Sequence, residues 1–505
     1  MENKSCIIIG GGLGGLFTGA LLAVRGYRVT VLEKNATIGG GLQCFVRGGE
    51  KYETGMHVAG GFGQGAVLDR LCRYLGLRPQ VAANDALASV LFLSDSSRYD
   101  LPCGRKALTG YLISRFPSET RGIESYMDAL YRLSEEEDLF YLKPYSEPES
   151  VVGAKHSEEF LMSASGFIAK YVKDKRLRSL LAFLAPLYAG EENRTPAFVH
   201  IMASVLLIDR PCRFAGGSDR LAEDLASVIR SRGGEVVTRA EVVSIDVEDR
   251  KIHSVKTSDG KSYSASNYVS DIHPVALVRS LPEGALPRHY ASRLKEIPLT
   301  ASSFKAYFRP PQGAVSYVAH PFFVYKDYDS VWNMARTEGW PHGVTCFMTP
   351  SADRKYASHL SLLSTMDFSQ VEAWADAGRF RRGDGYAEWK NARMDELCEL
   401  ASAAMPSLRA SLSASGPAVE RFAASPLTFR DWYGTERGSS YGFAKDYDYL
   451  ALSHLSVRTR IPNLFLTGQN VNLHGIGGVP MTAIETAEAV EGSRELREEI
   501  SGIRK

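Results

Sequence analysis

A glycine-rich turn between an apolar strand and an apolar helix decides how this chain begins to fold. Gly10, Gly12 and Gly15 form a G-x-G-x-x-G motif, and Glu33 follows at the end of the next predicted strand. The first glycine permits a tight turn, the second lets backbone approach a pyrophosphate, and the third allows close helix–strand packing. The helix N-terminus attracts phosphate, and the acid suits a ribose hydroxyl. The motif therefore predicts a dinucleotide-binding βαβ unit, with a strand over 6–9, a helix over 16–25 and a strand over 27–32.

The same segment has a second interpretation, because residues 6–24 carry no charge. A run of that length is also typical of a transmembrane span or a signal peptide. The glycine cluster at 10–15, and the lack of a basic region beyond Lys4, favour the strand–turn–helix instead. No other stretch approaches about 18 apolar residues. We therefore expect a cytoplasmic protein that is at most attached to a membrane surface.

Charge and cysteine usage exclude several function classes. Lys plus Arg number 59 and Asp plus Glu 58, so the net charge of +1 offers no global field for gripping nucleic acid. The seven cysteines are widely spaced and form no C-x-x-C pair. This pattern indicates a reducing compartment and neither a disulfide framework nor a zinc site. The histidines also lack metal-ligand spacing, so we expect no metal.

Two later segments continue the α/β pattern. The pair Gly216-Gly217 precedes a predicted helix, and a glycine-rich turn near the C-terminus lies between a predicted strand and a predicted helix. Asp259-Gly260 is typical of a hairpin turn. The predicted elements are a helix over 219–231, strands over 235–238, 240–247, 252–256, 262–269 and 463–467, and a final helix over 482–499.

The fold class that follows is α/β, with a Rossmann-type nucleotide domain built from discontinuous segments. Residues 105–210 look largely helical, and residues 285–450 mix strands and helices with many aromatic side chains. These two stretches together are predicted to form a second, α+β substrate domain. The predicted nucleotide-binding segments are 1–104, 211–284 and 451–505.

Further glycine turns indicate which dinucleotide is bound. Lys34 follows the acid, and the pair Gly40-Gly41 resembles the extended fingerprint of two-dinucleotide-binding flavoproteins, which hold FAD. The strand end at Gly468-Gln469 resembles their second FAD contact. The helix after Gly478 would point its N-terminus at the flavin and stabilise negative charge there. A plain NAD dehydrogenase has no need of this third segment.

Over nearly its whole length the chain resembles the family of phytoene desaturases, carotenoid isomerases and retinol saturases, FAD oxidoreductases within the amine-oxidase-like superfamily. Its motifs are VTVLEKNATIGGGLQCF (29–45), YETGMHVAGG (52–61), the glycine pair at 216–217, VSDIHP (269–274), LTFRDWYGTERGSSYG (427–442) and TGQNVNLHGIGGVPMTAIETA (467–487). The resemblance implies an amine-oxidase-like or GDI-like fold and bound FAD. The residues expected to hold FAD are Gly10, Gly12, Gly14, Gly15, Glu33, Lys34, Gly40, Gly41, Val242, Gly468, Gln469, Gly478 and Val479.

Two features of the chain bear on how FAD is held. Some members of the superfamily link flavin to a cysteine near the C-terminus, but this chain has no cysteine after Cys398. We therefore expect noncovalent FAD. Gln469 stands where many members of the superfamily carry an acid.

The resemblance also implies chemistry on carbon–carbon double bonds of a hydrophobic, polyene-like small molecule such as a retinoid or a carotenoid. Saturation, desaturation and isomerisation all stay open, as does the electron donor or acceptor. Such a substrate lives in lipid, so the apolar patches at 180–184 and 201–208 suit a membrane-facing entrance. Ordinary core is the alternative for each patch.

Three residues are candidates for catalysis by their positions in these motifs. His57, in the G-x-H segment, is expected near the flavin, where it could move a proton; a structural hydrogen bond is the alternative. His474 precedes the final helix and could contact the flavin or stabilise its loop. Tyr441 could face the cavity or simply pack.

Two other functions compete with this prediction. One is an amine-oxidase-like flavoenzyme acting on another hydrophobic small molecule, which would release hydrogen peroxide from amines in air. The other is a non-enzymatic binder of prenylated partners, like the Rab GDP-dissociation inhibitors. The intact glycine turns around Gly468 and Gly478 favour a flavoprotein, which would be yellow, whereas a binder would be colourless.

Overall fold

The computed structural model describes residues 4–143, 156–404, 408–409, 420–448 and 454–503. The predicted domain boundary between residues 450 and 451 lies outside the described residues. The helices are α1 Leu13–Val24, α2 Val67–Tyr74, α3 Arg105–Arg115, α4 Thr120–Ser134, α5 Glu158–Leu161, α6 Ala164–Tyr171, α7 Lys175–Leu181, α8 Ala197–Ile208, α9 Asp219–Ser231, α10 Pro274–Ser280, α11 Arg288–Glu296, α12 Gly383–Ala404, α13 Pro426–Tyr433, α14 Gly475–Glu491 and α15 Leu496–Ser501.

The strands follow the same chain-order numbering. They are β1 Ser5–Ile9, β2 Arg28–Leu32, β3 Cys44–Arg47, β4 Glu50–Glu53, β5 Val81–Ala83, β6 Ala88–Phe92, β7 Ser97–Leu101, β8 Cys212–Phe214, β9 Glu235–Val237, β10 Val242–Glu248, β11 Lys251–Thr257, β12 Ser262–Tyr263, β13 Asn267–Ser270, β14 Ser302–Arg309, β15 Phe322–Tyr325, β16 Gly343–Pro350, β17 Ala357–Met366, β18 Glu420–Ala424 and β19 Leu464–Leu466.

A five-stranded parallel sheet carries the glycine motif. Its order is β19-β13-β1-β2-β9, and every neighbouring pair is parallel. Helices α9 and α14 pack on α1. Cys6, Ile7, Ile8 and Ile9 are all buried because a parallel strand covered on both faces has no solvent side. The α/β fold class is thereby confirmed.

Helix α1 begins at Leu13, inside the glycine motif and before the predicted start at residue 16. Helix α9 has the predicted bounds. The predicted strand over 262–269 is wrong, because the chain changes sheets within it. Strand β12 pairs with β11, whereas β13 joins the parallel sheet beside β1.

A larger mixed sheet forms the second layer of strands. Its seven strands have the order β18-β14-β17-β16-β15-β6-β7. All its pairs are antiparallel except β15 with β6. Strands β6 and β7 lie within the segment 1–104, so they continue the sheet predicted for the substrate domain. The domain boundaries themselves stay predictions.

The final helix differs from the predicted one. Helix α14 begins at Gly475 and contains Pro480. It ends at Glu491, directly before Gly492, whose φ of 71° is left-handed, and α15 follows as a separate helix. The prediction over 482–499 starts too late because glycines followed by a proline are typical of a turn. Here Pro480 lies near the start of the helix, where it removes a single backbone hydrogen bond.

The two apolar patches of the helical segment are interior. Residues 180–184 are buried, and α8 has most of its side chains buried. Ordinary core therefore describes the 180–184 patch, whereas Ala203 and Leu206 of α8 are half-buried and line an internal cavity. Contact with a membrane stays a prediction. In the described part of the chain, no helix combines the length and the hydropathy needed to cross a membrane.

Candidate functional site

A cavity of about 640 Å³ lies where the carboxyl ends of the parallel strands meet helix α8 and the mixed sheet. Crevices at this edge of an α/β sheet are the usual ligand sites. Fourteen of the sixteen predicted site residues line it; Gly15 and Gly468 do not. The lining ones are Gly10, Gly12, Gly14, Glu33, Lys34, Gly40, Gly41, Val242, Gln469, Gly478, Val479, His57, His474 and Tyr441.

Gly15 and Gly468 lie behind the cavity lining, where the absence of a side chain lets neighbouring backbone segments approach closely. A Cβ on Gly15 would lie 2.2 Å from the Gly10 carbonyl oxygen. A Cβ on Gly14 would lie 2.7 Å from Cα of Gly468. No real Cβ tolerates such distances, so these positions require glycine. The first and the third glycine turns thus touch each other directly.

The acid at the end of β2 is held by backbone. Oε2 of Glu33 accepts the Gly11 N–H at 2.8 Å, and Oε1 accepts the Asn35 N–H at 2.8 Å. Only 6% of Glu33 is exposed, and the residue lines the cavity. These bonds orient the carboxylate toward the position predicted for a ribose.

Asp271, which the sequence presents as a strand end, occupies the middle of the glycine turns. Its carboxylate oxygens lie 2.5, 2.5 and 2.2 Å from the Cβ atoms that Gly12, Gly14 and Gly468 would carry. The missing side chains therefore leave room for this acid. Loss of water raises the pKa of Asp271 to about 7, and Glu33 adds to the rise, whereas N–H groups of Gly15 and Gly12 oppose it.

The end of the cavity beside the glycine turns has further polar groups. Nδ1 of His273 accepts the Val275 N–H at 3.4 Å, which leaves a proton on Nε2. Within the described residues Nε2 has no partner, and it is buried at the cavity wall. Burial lowers the pKa of His273 to about 4, so the ring is neutral. Thr435 likewise has a buried hydroxyl without a partner among the described residues.

The C-terminal turn supplies the opposite wall. Gln469, Gly478 and Val479 line the cavity, and so does Gly475, where α14 begins. The positive end of the helix dipole stabilises negative charge nearby. The N-terminus of α14 therefore lies at the cavity, and its contact with flavin stays a prediction.

His57 belongs to a buried network that the sequence did not reveal. Its Nδ1 lies 3.3 Å from Oε2 of Glu53, and its ring stacks on Phe347 at 4.5 Å. Burial, Lys305 and His359 lower the pKa of His57 well below its usual value. Its buried Nε2 has no partner in the described part of the structure.

Glu53 and Lys305 share this network. Burial raises the pKa of Glu53 to about 7, although Lys305 opposes the rise. Burial lowers the pKa of Lys305 to about 7, and its Nζ donates to the carbonyls of Glu53 and Thr54. In the sequence, the contact between Glu53 and His57 is indicated only by their i, i+4 spacing. The network can hold one exchangeable proton near neutral pH.

His474 and Tyr441 lie together at another wall. Their rings are 4.6 Å apart, and the Tyr441 hydroxyl donates to the Leu187 carbonyl at 2.5 Å. Burial and Lys445 lower the pKa of His474 to about 3, against a contribution from the Tyr188 backbone. Burial raises the pKa of Tyr441. Both groups are therefore neutral at pH 7, and their catalytic roles stay predictions.

The part of the cavity beyond the glycine turns is mainly apolar. Helix α8 contributes a row of side chains, and the mixed sheet contributes others. The apolar lining residues here are Phe140, Leu187, Val199, Met202, Ala203, Leu206, Leu207, Phe347 and Leu363. This end suits a hydrophobic ligand, whose burial would exclude water.

The residues present fit a dinucleotide with a redox ring. They provide glycine backbone at a helix N-terminus, an acid oriented by backbone N–H groups, and buried polar atoms that have no hydrogen-bond partner among the described residues. The fold and the cavity thus define a flavoprotein of the Rossmann type. The sequence profile of the "Flavin containing amine oxidoreductase" family matches residues 13–491. The chain belongs to this family, which confirms the prediction of FAD as cofactor.

Curated relatives include rat all-trans-retinol 13,14-reductase, which is 25% identical over 97% of this chain and 86% of its own. The chloroplastic prolycopene isomerase of Arabidopsis thaliana is 28% identical over 52% of this chain and 47% of its own. The predicted resemblance to retinol saturases and carotenoid isomerases is confirmed.

Solved structures share the fold. An oxidoreductase from Methanosarcina mazei superposes with a TM-score of 0.63 at 14% identity, covering 96% of this chain and 100% of that one. Putrescine oxidase bound to putrescine superposes with a TM-score of 0.60 at 14% identity, covering 97% and 99%. At this identity the likeness concerns the fold alone.

Proposed function

We propose that the protein is an FAD-dependent oxidoreductase acting on carbon–carbon double bonds of a hydrophobic, polyene-like substrate such as a retinoid or a carotenoid. The observation that carries this proposal is the continuous cavity, which leads from the glycine turns to the apolar wall of α8. The reductase and isomerase relatives support it. The proposal includes a cytoplasmic location. It also includes contact with a membrane surface, because such a substrate dissolves in lipid.

The apolar end of the cavity positions the substrate. FAD, when bound, supplies hydride transfer, which is the difficult chemical step. Met202, Ala203 and Leu206 offer a wall with no charge, so a hydrocarbon chain is held by burial and not by ion pairing. The same wall excludes water from the reacting double bond.

Glu53 and His57 provide the proton that saturation of a double bond requires. A neutral Glu53 can donate to Nδ1 of His57 across 3.3 Å while His57 gives up the proton on Nε2 into the cavity. Because burial raises the pKa of Glu53 to about 7, the acid is partly protonated at neutral pH. For desaturation the same groups would accept a proton instead.

The test is anaerobic incubation of the reduced holoprotein with all-trans-retinol and with a carotenoid, read by mass spectrometry. A gain of two hydrogens indicates saturation, and a new retention time at constant mass indicates isomerisation. A loss of two hydrogens, from the oxidised holoprotein with an electron acceptor, indicates desaturation. Protein stripped of flavin is the control and should leave each compound unchanged.

Three results would overturn the proposal. One is no product from either polyene. Another is hydrogen peroxide from simple amines in air, which would indicate an amine oxidase. The last is a colourless protein that takes up no FAD, which would indicate a binder without redox chemistry.

A further inference from the structure

Asp271 presents an electrostatic conflict with the cofactor. Its carboxylate fills the space beside Gly12, Gly14 and Gly468, at the N-terminus of α1. That helix end is also where the G-x-G-x-x-G motif holds a pyrophosphate. An ionised Asp271 would therefore place a negative charge next to a phosphate group in a site of low dielectric constant, which is unfavourable.

Among the described residues, no cation acts on the Asp271 carboxylate: Lys34 and Arg279 line the same cavity, but neither shifts the pKa of Asp271. On the β2 side the charged group is Glu33, which is itself an acid. The turn after β1, residues 10–15, carries no charged side chain, and neither does the turn 467–470 after β19. On its own strand end, His273 is neutral because burial lowers its pKa to about 4. Backbone N–H groups of Gly12 and Gly15 are what stabilise the carboxylate.

We propose that Asp271 enters the FAD complex as the neutral acid, so that binding of FAD above neutral pH takes up one proton. As a neutral acid it gains a hydroxyl donor, which can hydrogen-bond a phosphate oxygen, and it loses the repulsion. The balance is that apoprotein with ionised Asp271, FAD and one proton give the complex with protonated Asp271. This role goes beyond the proposed substrate and rests only on the flavin of the family.

The pH dependence follows from the state of the free protein. Because the pKa of Asp271 is raised only to about 7 before FAD binds, the acid is already protonated well below that pH. There, binding needs no proton, and the FAD dissociation constant stays flat. Above about pH 7 each pH unit weakens FAD binding by up to about tenfold.

The experiment is titration of apoprotein with FAD between about pH 6 and about pH 8.5, followed by flavin fluorescence. For wild type, the FAD dissociation constant should rise with pH above about pH 7. For Asp271→Asn it should change little with pH, and near pH 8.5 this variant should bind FAD at least about tenfold more tightly than wild type. Asp249→Asn removes an exposed acid in a turn and should behave as wild type.

A second measurement needs no variant and guards against misfolding of Asp271→Asn. Calorimetry of wild type in two buffers of different ionisation enthalpy reports protons taken up with FAD. About one proton is expected near pH 8.5 and almost none near pH 6. A pH-independent affinity of wild type, an equal slope in Asp271→Asn, or no proton uptake at either pH would overturn the inference. Failure to bind FAD at any pH would instead overturn the proposed function.

Discussion

Gly14→Ala tests whether the first and third glycine turns meet as described. The new Cβ would lie 2.7 Å from Cα of Gly468 and 2.5 Å from Oδ1 of Asp271. The contact with Gly468 is to backbone, so it cannot be relieved by rotating a side chain. Overpacking of this kind costs about 3 kcal/mol, against which alanine returns about 1 kcal/mol of helix propensity.

The net cost of about 2 kcal/mol arises at the cofactor site, so it should distort the turns that bind FAD. If the turn at Gly468 moves to relieve the contact, FAD affinity should fall by about thirtyfold. The assay is fluorescence titration of apoprotein with FAD, together with urea unfolding of the apoprotein. Gly110→Ala is the matched control, because it lies in α3 with nothing within 4 Å of its Cβ. It should retain wild-type FAD affinity and be slightly more stable. Wild-type FAD affinity and stability in Gly14→Ala would refute the reasoning.

The other predictions concern the proton network and the apolar wall. Glu53→Gln should lower turnover by about a hundredfold at unchanged flavin content and abolish the fall in rate above about pH 7; a retained alkaline limb would contradict this role. Burial lowers the pKa of both Lys305 and Lys445 to about 7, so the free energy of unfolding should rise with pH above about 7. Lys305→Met should reduce that slope by up to about 1.4 kcal/mol per pH unit in urea titrations and leave the part due to Lys445; an unchanged slope would contradict the burial of a neutral Lys305. Ala203→Phe should fill the apolar end and raise KM for retinol with FAD binding intact; an unchanged KM would contradict the substrate position.

The parts of the fold that could be predicted from sequence are those in which local chemistry determines structure. The N-terminal βαβ unit follows from an uncharged strand, a glycine turn and an acid at the end of the second strand. Helix α9 follows from its apolar face and flanking glycines. The glycines near the C-terminus identify the third turn, because no other residue permits so close a backbone approach.

The remainder depends on contacts between distant residues. The local sequence gives no sign of the break between β12 and β13, because the change of sheet results from the pairing of Asn267–Ser270 with the distant strand β1. Asp271 looks like an ordinary strand end until Gly468, from the far end of the chain, closes on it. Lys305 was missed for a similar reason, because its contact with Glu53 crosses from the mixed sheet to the ribbon of β3 and β4.

The order of strands in the parallel sheet has a consequence for how the protein is made. Strand β1 is synthesised long before its neighbour β13, and β19, which pairs with β13, is synthesised later still. Contacts of such long range close slowly. A nascent chain therefore carries an unfinished parallel sheet until β19 has been made, and the three glycine turns can surround FAD only after that point.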